Sequence, residues 1–367
     1  MRLIRPLYVV RLSALLLGVS VCVPSGVDAQ TRSSAKKAST TKTHAATAKK
    51  PVAKKPAYSA STAKTRKARL ARARAAAKAR EAARVRVAAA ALKEAMTPRF
   101  RTDESGSLVP DLRAAAAIAF NPETGEVLWQ ENGQAKRPIA SITKVMTALV
   151  FLEDNPDLTQ HITVERSDTY AASTTYLRTN DRIALNDVLH LALIPSDNAA
   201  ARALARVSHG GTASFVERMN EKAIELGLEN TTFADPSGLN AANMSSAYDL
   251  SRLISYASSD ERIASIMRIQ RHTVQTNRRT ISFNNTNKLL AGGEVDVMAG
   301  KTGFISKAGY CLATLLRLPQ SQQTVAVVVL GAQSNTGRFW ETRHLFNWLT
   351  ERATVLFKQQ DQIQQVP

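Results

Sequence analysis

The chain has 367 residues, enough for one large folded domain or two small ones, and its 44% apolar content is that of a globular protein. The formal charge of +19 sits at one end: residues 30–98 hold 19 Lys and Arg against Glu81 and Glu94, whereas residues 99–367 hold 27 of each sign. The basic balance therefore belongs to a tail and not to the fold, and no segment reaches the about 18 consecutive apolar residues that a membrane helix needs.

In chain order, Arg2, Arg5 and Arg11 precede an apolar run from Leu12 to about Val23, and Val27-Asp28-Ala29 supplies small residues for cleavage. This pattern predicts an export signal over residues 1–29 and a periplasmic location. Cys22 lies in the apolar run, but Val21 is not the small residue that a lipoprotein needs there, and cleavage after Ala29 leaves Cys311 as the one thiol. A single thiol makes no internal disulfide, and Cys311 is expected as a packed core residue in an apolar strand.

Residues 30–61 are Lys, Ala, Thr, Ser and Pro, including Ala48-Lys-Lys-Pro-Val-Ala-Lys-Lys-Pro56, too poor in large apolar side chains to fold. Residues 62–96 are richer in Ala and Arg, which favour helix, and Pro98 closes the segment. The expectation for 30–98 is a disordered, solvated basic arm with partial helix. The folded domain spans 99–367, with its globular part starting near Leu112.

A strand is expected over Arg113 to Phe120, a turn at Asn121-Pro-Glu-Thr-Gly125 and a return strand over Glu126 to Gln130. From Ser141 the apolar residues Ile142, Val145, Met146, Leu149 and Leu152 recur at helical spacing. Further helical patterns cover about 184–194, 198–207, 212–227 and 246–268, and strands follow near 271–284, 295–301, 308–318 and 323–332. A last amphipathic helix over 336–357 should bury Phe339, Leu345, Leu349, Ala353 and Leu356. Strands at both ends of a helical middle give an α+β domain, one antiparallel sheet flanked by helices.

Three short words in this order carry chemistry: Ser141-Ile-Thr-Lys144, Ser196-Asp-Asn198 and Lys301-Thr-Gly303. S-x-x-K alone means little, since it recurs at Ser33/Lys36, Ser34/Lys37, Ser39/Lys42 and Ser61/Lys64 in the arm. At Ser141 it opens a helix, so hydroxyl and amine leave one face a turn apart. A serine is a weak nucleophile until a base takes its proton, and a lysine serves only if its neutral form is favoured by burial or a second cation. Lys301 is the candidate second cation, and the helix N-terminus offers N–H groups to an oxyanion.

Ser196-Asp-Asn198 follows the apolar helix ending at Ile194-Pro195, where a hydroxyl and a carboxamide can relay a proton and hold a substrate amide; the alternative is a plain helix-start cluster. Ser282-Phe-Asn284 is a rival S-x-N in a strand-like stretch. Lys301, Thr302 and Gly303 would receive an anionic substrate beside an exposed strand edge, glycine allowing close approach; the alternative is a strand-end turn. With no G-x-S-x-G, H-E-x-x-H, Walker loop or paired C-x-x-C, no metal or cofactor is expected.

The set S-x-x-K, S-D-N, K-T-G is shared by penicillin-binding proteins and serine β-lactamases. From about Leu112 to the late 350s the chain resembles the low-molecular-mass penicillin-binding proteins, D-alanyl-D-alanine carboxypeptidases and endopeptidases, and in particular the type 7/8 endopeptidases. The matching segments are Arg137-Pro-Ile-Ala-Ser-Ile-Thr-Lys144, Leu191-Ala-Leu-Ile-Pro-Ser-Asp-Asn198, Asn230-Thr-Thr-Phe-Ala-Asp-Pro-Ser-Gly-Leu239, Asn285-Thr-Asn287 and Lys301-Thr-Gly-Phe-Ile-Ser-Lys-Ala-Gly-Tyr-Cys-Leu312. The resemblance implies a β-lactamase/transpeptidase-like fold with a helical subdomain. It implies Ser141 as the acyl-forming nucleophile, Lys144 as its base and Ser196 in proton transfer to the leaving group. Asn198, Lys301, Thr302 and Gly303 would bind substrate, and the N–H groups of Ser141 and Phe304 would form the oxyanion hole.

The implied partners are peptidoglycan peptides, with β-lactams as inhibitors. An exported basic arm meets anionic envelope polymers and few nucleic acids, so no nucleic-acid partner is expected. Two departures stand out. Ile305 occupies the place where the family usually carries a hydroxyl, which bears on recognition of a free terminal carboxylate. The β-rich second domain and C-terminal membrane helix of the larger carboxypeptidases are not expected here. The alternative reading is a secreted β-lactamase; the class A kind needs a Glu in an E-x-x-L-N setting, and Glu225-Leu-Gly-Leu228 followed by Glu229 reads as helix surface.

Overall fold

The computed structural model describes residues 60–319 and 323–364, with side chains over 65–319 and 323–352. The expected export segment and the first half of the arm lie outside the described residues, as do the side chains of Ala353 and Leu356. The chain divides into two units, 1–68 and 69–367; of the first, the described part is the opening of a helix.

That helix, α1 (Ala60–Met96), falls on the Ala- and Arg-rich stretch 62–96 where partial helix was expected. Alanine and arginine have high helix propensity, and their sum over 37 residues outweighs the repulsion of spaced charges. Side chains at 65–94 are all exposed, so α1 stands on propensity without a buried face. Its end is tied down: Arg113 donates to the Glu94 carbonyl at 2.9 Å, and the His344 ring lies 2.9 Å from the Met96 carbonyl.

The folded part begins earlier than Leu112, with the hairpin β1 (Phe100–Thr102) and β2 (Leu108–Pro110). Val109 is buried, and Trp348 Nε1 donates to the Leu108 carbonyl at 3.1 Å, which fastens the hairpin to the last helix. Next come β3 (Ala116–Phe120) and β4 (Val127–Glu131), joined by the predicted turn. There the Asn121 side chain accepts from the Glu123 and Thr124 N–H groups, and Gly125 takes φ +77°.

The helical middle contains α2 (Thr143–Glu153), α4 (Leu185–Leu193), α5 (Asn198–Val207), α6 (Gly211–Glu225), α7 (Ala247–Ser258) and α8 (Glu261–Arg268), with the short α3 (Arg166–Thr169) between α2 and α4. The pattern over 246–268 thus holds two helices, the second capped by Asp260, which accepts from the Arg262 N–H. Two short pairings escaped the periodicity: β5 (Arg137–Pro138) with β8 (Met244–Ser245), and β6 (His161–Thr163) with β7 (Arg182–Ala184). Two or three residues are too few for an alternation to register.

The stretch 271–284 is a separate hairpin, β9 (Arg271–Gln275) and β10 (Thr280–Asn284). The closing strands β11 (Asp296–Ile305), β12 (Gly309–Arg317) and β13 (Thr324–Ala332) join β3 and β4 in one antiparallel sheet of order β11-β12-β13-β3-β4. One face packs on α7 and α8, with Ile118, Ala313 and Val328 in the core that these helices share with α2 and the rest of the helical middle. The other face is covered by α9 (Gly337–Gln364) through Phe339, Leu345, Phe346, Trp348 and Leu349. Cys311 is fully buried in the first core, and burial pushes its thiol up to about 11. The sheet order leaves β11 at an edge, beside the turn that leads into α2.

Candidate active site

A single 3-10 turn (Ala140–Ile142) leads into α2, and Ser141 sits in that turn while Lys144 lies in the first turn of the α-helix. The expected helix start is therefore a 3-10 to α junction. Ala140 holds φ +50°, a left-handed conformation that costs free energy for a residue with a Cβ and is held by its surroundings. Thr143 to Leu152 are all buried, so Lys144 is drawn inside with them. Its Nζ lies 2.8 Å from Ser141 Oγ, 2.7 Å from Asn198 Oδ1 and 2.6 Å from the Ser237 carbonyl oxygen. Burial lowers its pKa from 10.5 to about 7; Asp197 and Asp235 push the other way, and Arg202 adds to the lowering.

Ser196-Asp-Asn198 sends three side chains to three tasks. Asp197 caps α5: its carboxylate accepts from the Ala200 N–H at 3.0 Å and from Thr175 Oγ1 at 3.0 Å. Ser196 holds φ +65°, and its Oγ accepts from Lys301 Nζ at 2.7 Å. Asn198 Oδ1 accepts from Lys144, and its Nδ2 donates to the Ala172 carbonyl at 2.7 Å. Its carboxamide, expected to hold a substrate amide, is thus engaged inside the protein. The rival Ser282 pairs with Thr273 on the exposed β9–β10 hairpin.

Lys301-Thr-Gly303 occupies the middle of edge strand β11, not a strand-end turn. Burial drives the Lys301 pKa well below 10.5, with Lys144 and Arg338 adding repulsion. Burial is the main cause of the Lys144 shift, as expected, but the cation that adds to it is Arg202 and not Lys301; the repulsion between the two amines falls on Lys301. Thr302 Oγ1 donates to Thr286 Oγ1 at 2.7 Å. At Gly303 the close approach is by the protein's own chain, since an added Cβ would lie 2.6 Å from the Ile139 carbonyl oxygen. This brings the strand that carries Phe304 against the turn that carries Ser141. The Phe304 ring is 49% exposed and stacks on Tyr310 with centroids 4.3 Å apart.

Two contributors escaped the sequence reading. Arg338 of α9 is buried and donates to the carbonyls of Gly303 at 3.0 Å and Cys311 at 3.3 Å, tying the site end of β11 to the helix behind the sheet. The loop 235–243 forms a further wall: the Pro236 carbonyl accepts from Thr147 Oγ1 at 2.6 Å and the Ser237 carbonyl from Lys144. Gly238, at φ +81°, lies so close that a Cβ would meet the Ala140 carbonyl oxygen at 2.0 Å. Backbone carbonyls carry no sequence signature, and the matching segment Asn230 to Leu239, which contains Asp235-Pro-Ser-Gly238, marked this wall without giving it a role.

The site thus holds two hydroxyl–amine pairs, Ser141/Lys144 and Ser196/Lys301, with both amines buried and biased toward their neutral forms. Such pairs suit activation of a serine nucleophile and proton transfer beside it.

Comparison with known proteins agrees. The family model described as D-alanyl-D-alanine carboxypeptidase matches residues 103–334. A D-alanyl-D-alanine endopeptidase of Escherichia coli K12 is 34% identical over 244 residues, 65% of this chain and 78% of its own length. One from Pseudomonas aeruginosa is 34% identical over 254 residues, 68% of this chain and 81% of its own. The crystal structure of the Streptomyces K15 DD-transpeptidase superposes with a TM-score of 0.61 at 29% identity, covering 65% of this chain and 97% of that one. By matched length, fold and motif order, the chain belongs to the D-alanyl-D-alanine carboxypeptidase family of serine peptidases, and is a hydrolase with the penicillin-binding fold.

Proposed function

We propose that the chain is an exported serine D-alanyl-D-alanine endopeptidase/carboxypeptidase that cleaves peptidoglycan peptides through an acyl-enzyme on Ser141 and is acylated there by β-lactams. The observation that carries this reading is the 2.8 Å approach of Ser141 Oγ to a fully buried Lys144 amine. Ser141 Oγ bonds to the D-alanyl carbonyl carbon as its proton passes to Lys144, while N–H groups of Ser141 and Phe304 receive the oxyanion. The C–N bond then breaks, and the leaving amine takes its proton by way of Ser196, which Lys301 contacts at 2.7 Å. Water next attacks the ester carbonyl, giving up a proton as Ser141 recovers its own, and the free carboxylate leaves. Asn198 holds Lys144 in this scheme, and Lys301, Thr302 and Gly303 line the strand that receives substrate.

Two features favour cleavage of cross-links over removal of a terminal residue: Ile305 in place of a hydroxyl, and the endopeptidase names of relatives at 34% identity. The test is digestion of purified cross-linked sacculi, with the muropeptides then separated. Cross-linked dimers should fall and monomers rise; dimers that persist while terminal D-alanine is released would reject the endopeptidase preference. Fluorescent penicillin separates the secreted β-lactamase alternative, because a peptidase gives a stable covalent label and a β-lactamase rapid turnover.

The export reading rests on residues 1–29, and among the described residues no helix is long and apolar enough to cross a membrane. We assign residues 30–98 to binding of anionic envelope polymers. In α1 the basic side chains Arg69, Arg72, Arg74, Lys78, Arg80, Arg84 and Arg86 point to all sides of an exposed helix with no apolar stripe. A flexible polyanion can engage every side of such a rod, whereas a flat bilayer reaches one. Because Glu94 and Met96 are anchored to the domain, the informative deletion is 30–92. It should leave penicillin acylation unchanged and weaken attachment to sacculi in low salt. The difference should vanish as salt rises, since screening acts within about 10 Å at 0.1 M. Equal binding and equal salt response of both proteins would make the arm a spacer.

A further inference from the structure

The 235–243 loop owes its shape to one carboxylate. Asp235 Oδ1 accepts from the Ser237 N–H and Ser237 Oγ, both at 2.6 Å, and from the Gly238 N–H at 2.8 Å. Its Oδ2 accepts from the Asn240 N–H at 2.6 Å and from Asn243 Nδ2 at 2.8 Å. Five donors converge on two oxygens, an arrangement that suits an ionised acid. Burial opposes the charge at Asp235, but these bonds outweigh it and hold its pKa below the usual value. The result of this folding is the placement of one backbone atom, the Ser237 carbonyl oxygen, 2.6 Å from Lys144 Nζ.

That atom determines where a neutral Lys144 points. A neutral amine has two N–H groups and one lone pair, and Lys144 has three oxygen neighbours. The Ser237 oxygen is a carbonyl and can only accept. The Asn198 oxygen is likewise only an acceptor, and its orientation is fixed because Nδ2 donates to the Ala172 carbonyl. Both N–H groups are therefore committed, and the lone pair is left for the Ser141 hydroxyl. Without the Ser237 carbonyl, one N–H is free to turn toward Ser141 and the lone pair turns away from the proton it has to take.

We propose that Asp235 is a positioning residue for acyl transfer, folding the loop so that the Ser237 carbonyl and Asn198 fix the lone pair of neutral Lys144 on Ser141. The inference rests on the reading of Ser141 as nucleophile and Lys144 as base. It is separable from a purely structural role because Asp235 also carries charge. The charged groups facing Lys144 are Asp197 and Arg202 of the α5 start, Lys301 of β11 and Asp235 of the loop. Asp235 stabilises the protonated amine, so removing its charge lowers the Lys144 pKa and moves the rise of acylation with pH to lower pH.

The experiment is the rate of acylation by fluorescent penicillin between pH 5 and 9, measured on the full mature chain and expressed per labelled Ser141, for wild type and Asp235→Asn. The plateau rate should fall by about 10- to 100-fold, and the acid limb should shift down by about half a unit or more. A wild-type plateau, or a lowered plateau with an unmoved limb, overturns the proposal. The exchange variant D235N/N243D keeps one carboxylate and one carboxamide in the pair and decides the matter if the single variant does not fold. It should keep the limb in place with the plateau at least about 10-fold down; a wild-type rate overturns the proposal. A label on a residue other than Ser141 in the wild-type chain overturns the acyl-transfer reading itself, and this inference with it.

Discussion

Replacing Ser141 by alanine is expected to abolish both covalent labelling by a fluorescent penicillin and cleavage of peptidoglycan peptides, with the fold intact. Ser141 is the hydroxyl that approaches the fully buried Lys144, in a turn that leads into α2. The substitution removes one half-buried oxygen and adds nothing that must be packed, so the melting temperature should stay close to wild type. Among the described residues, Ser196 is the other hydroxyl bonded to a buried lysine amine, and it rests on Lys301 instead. Gel fluorescence and mass spectrometry of the labelled peptide check the result. A Ser141→Ala protein that still carries a covalent penicillin would remove Ser141 as nucleophile.

The second large effect belongs to Lys144. Lys144→Ala should slow acylation by about 10²- to 10⁴-fold, the usual worth of a positioned base. Lys144→Arg should fail nearly as badly, because a guanidinium stays protonated and its fork does not fit three oxygens arranged around a single nitrogen. The pH dependence has a definite sign. Burial favours the neutral amine and brings the Lys144 pKa to about 7, so the amine is protonated and inactive well below that value and free well above it. Acylation should therefore rise through about pH 7 and lose that limb in Lys144→Ala. An Arg variant with near-wild-type acylation, or a wild-type profile flat from pH 5 to 9, would rule out Lys144 as the base.

The amino-acid pattern alone was enough for the domain class, the order of the long elements and the candidate residues. Helices α2 and α4 to α7 have apolar positions at spacings of three and four, and β11 to β13 are long enough to read as strands. The three motifs were legible because each presents a side chain with its own chemistry. The 3-10 turn at Ser141, the two-residue strands and the early hairpin at Phe100 were not, because short elements are stabilised by partners far away in the chain. The helix of the arm was half legible: composition favours helix, but whether about 37 residues of spaced charge stay helical depends on summed propensity against repulsion.

What the sequence determined by itself is therefore which side chains are available: a serine and lysine one turn apart, a hydroxyl and carboxamide at a helix start, and a lysine on a strand. Their assignments were decided by the tertiary structure. Folding buried Lys144 and Lys301 completely, turned Asn198 toward Lys144, and gave Asp197 the cap. It brought the Ser237 carbonyl, 93 residues away in the chain, against Lys144 and set Arg338 behind Gly303. The physical reason is that a pKa and the direction of a lone pair depend on burial and on the nearest oxygen atoms. Those oxygens belong in part to the backbone, which every residue carries alike, so only the folded chain distinguishes one carbonyl from another.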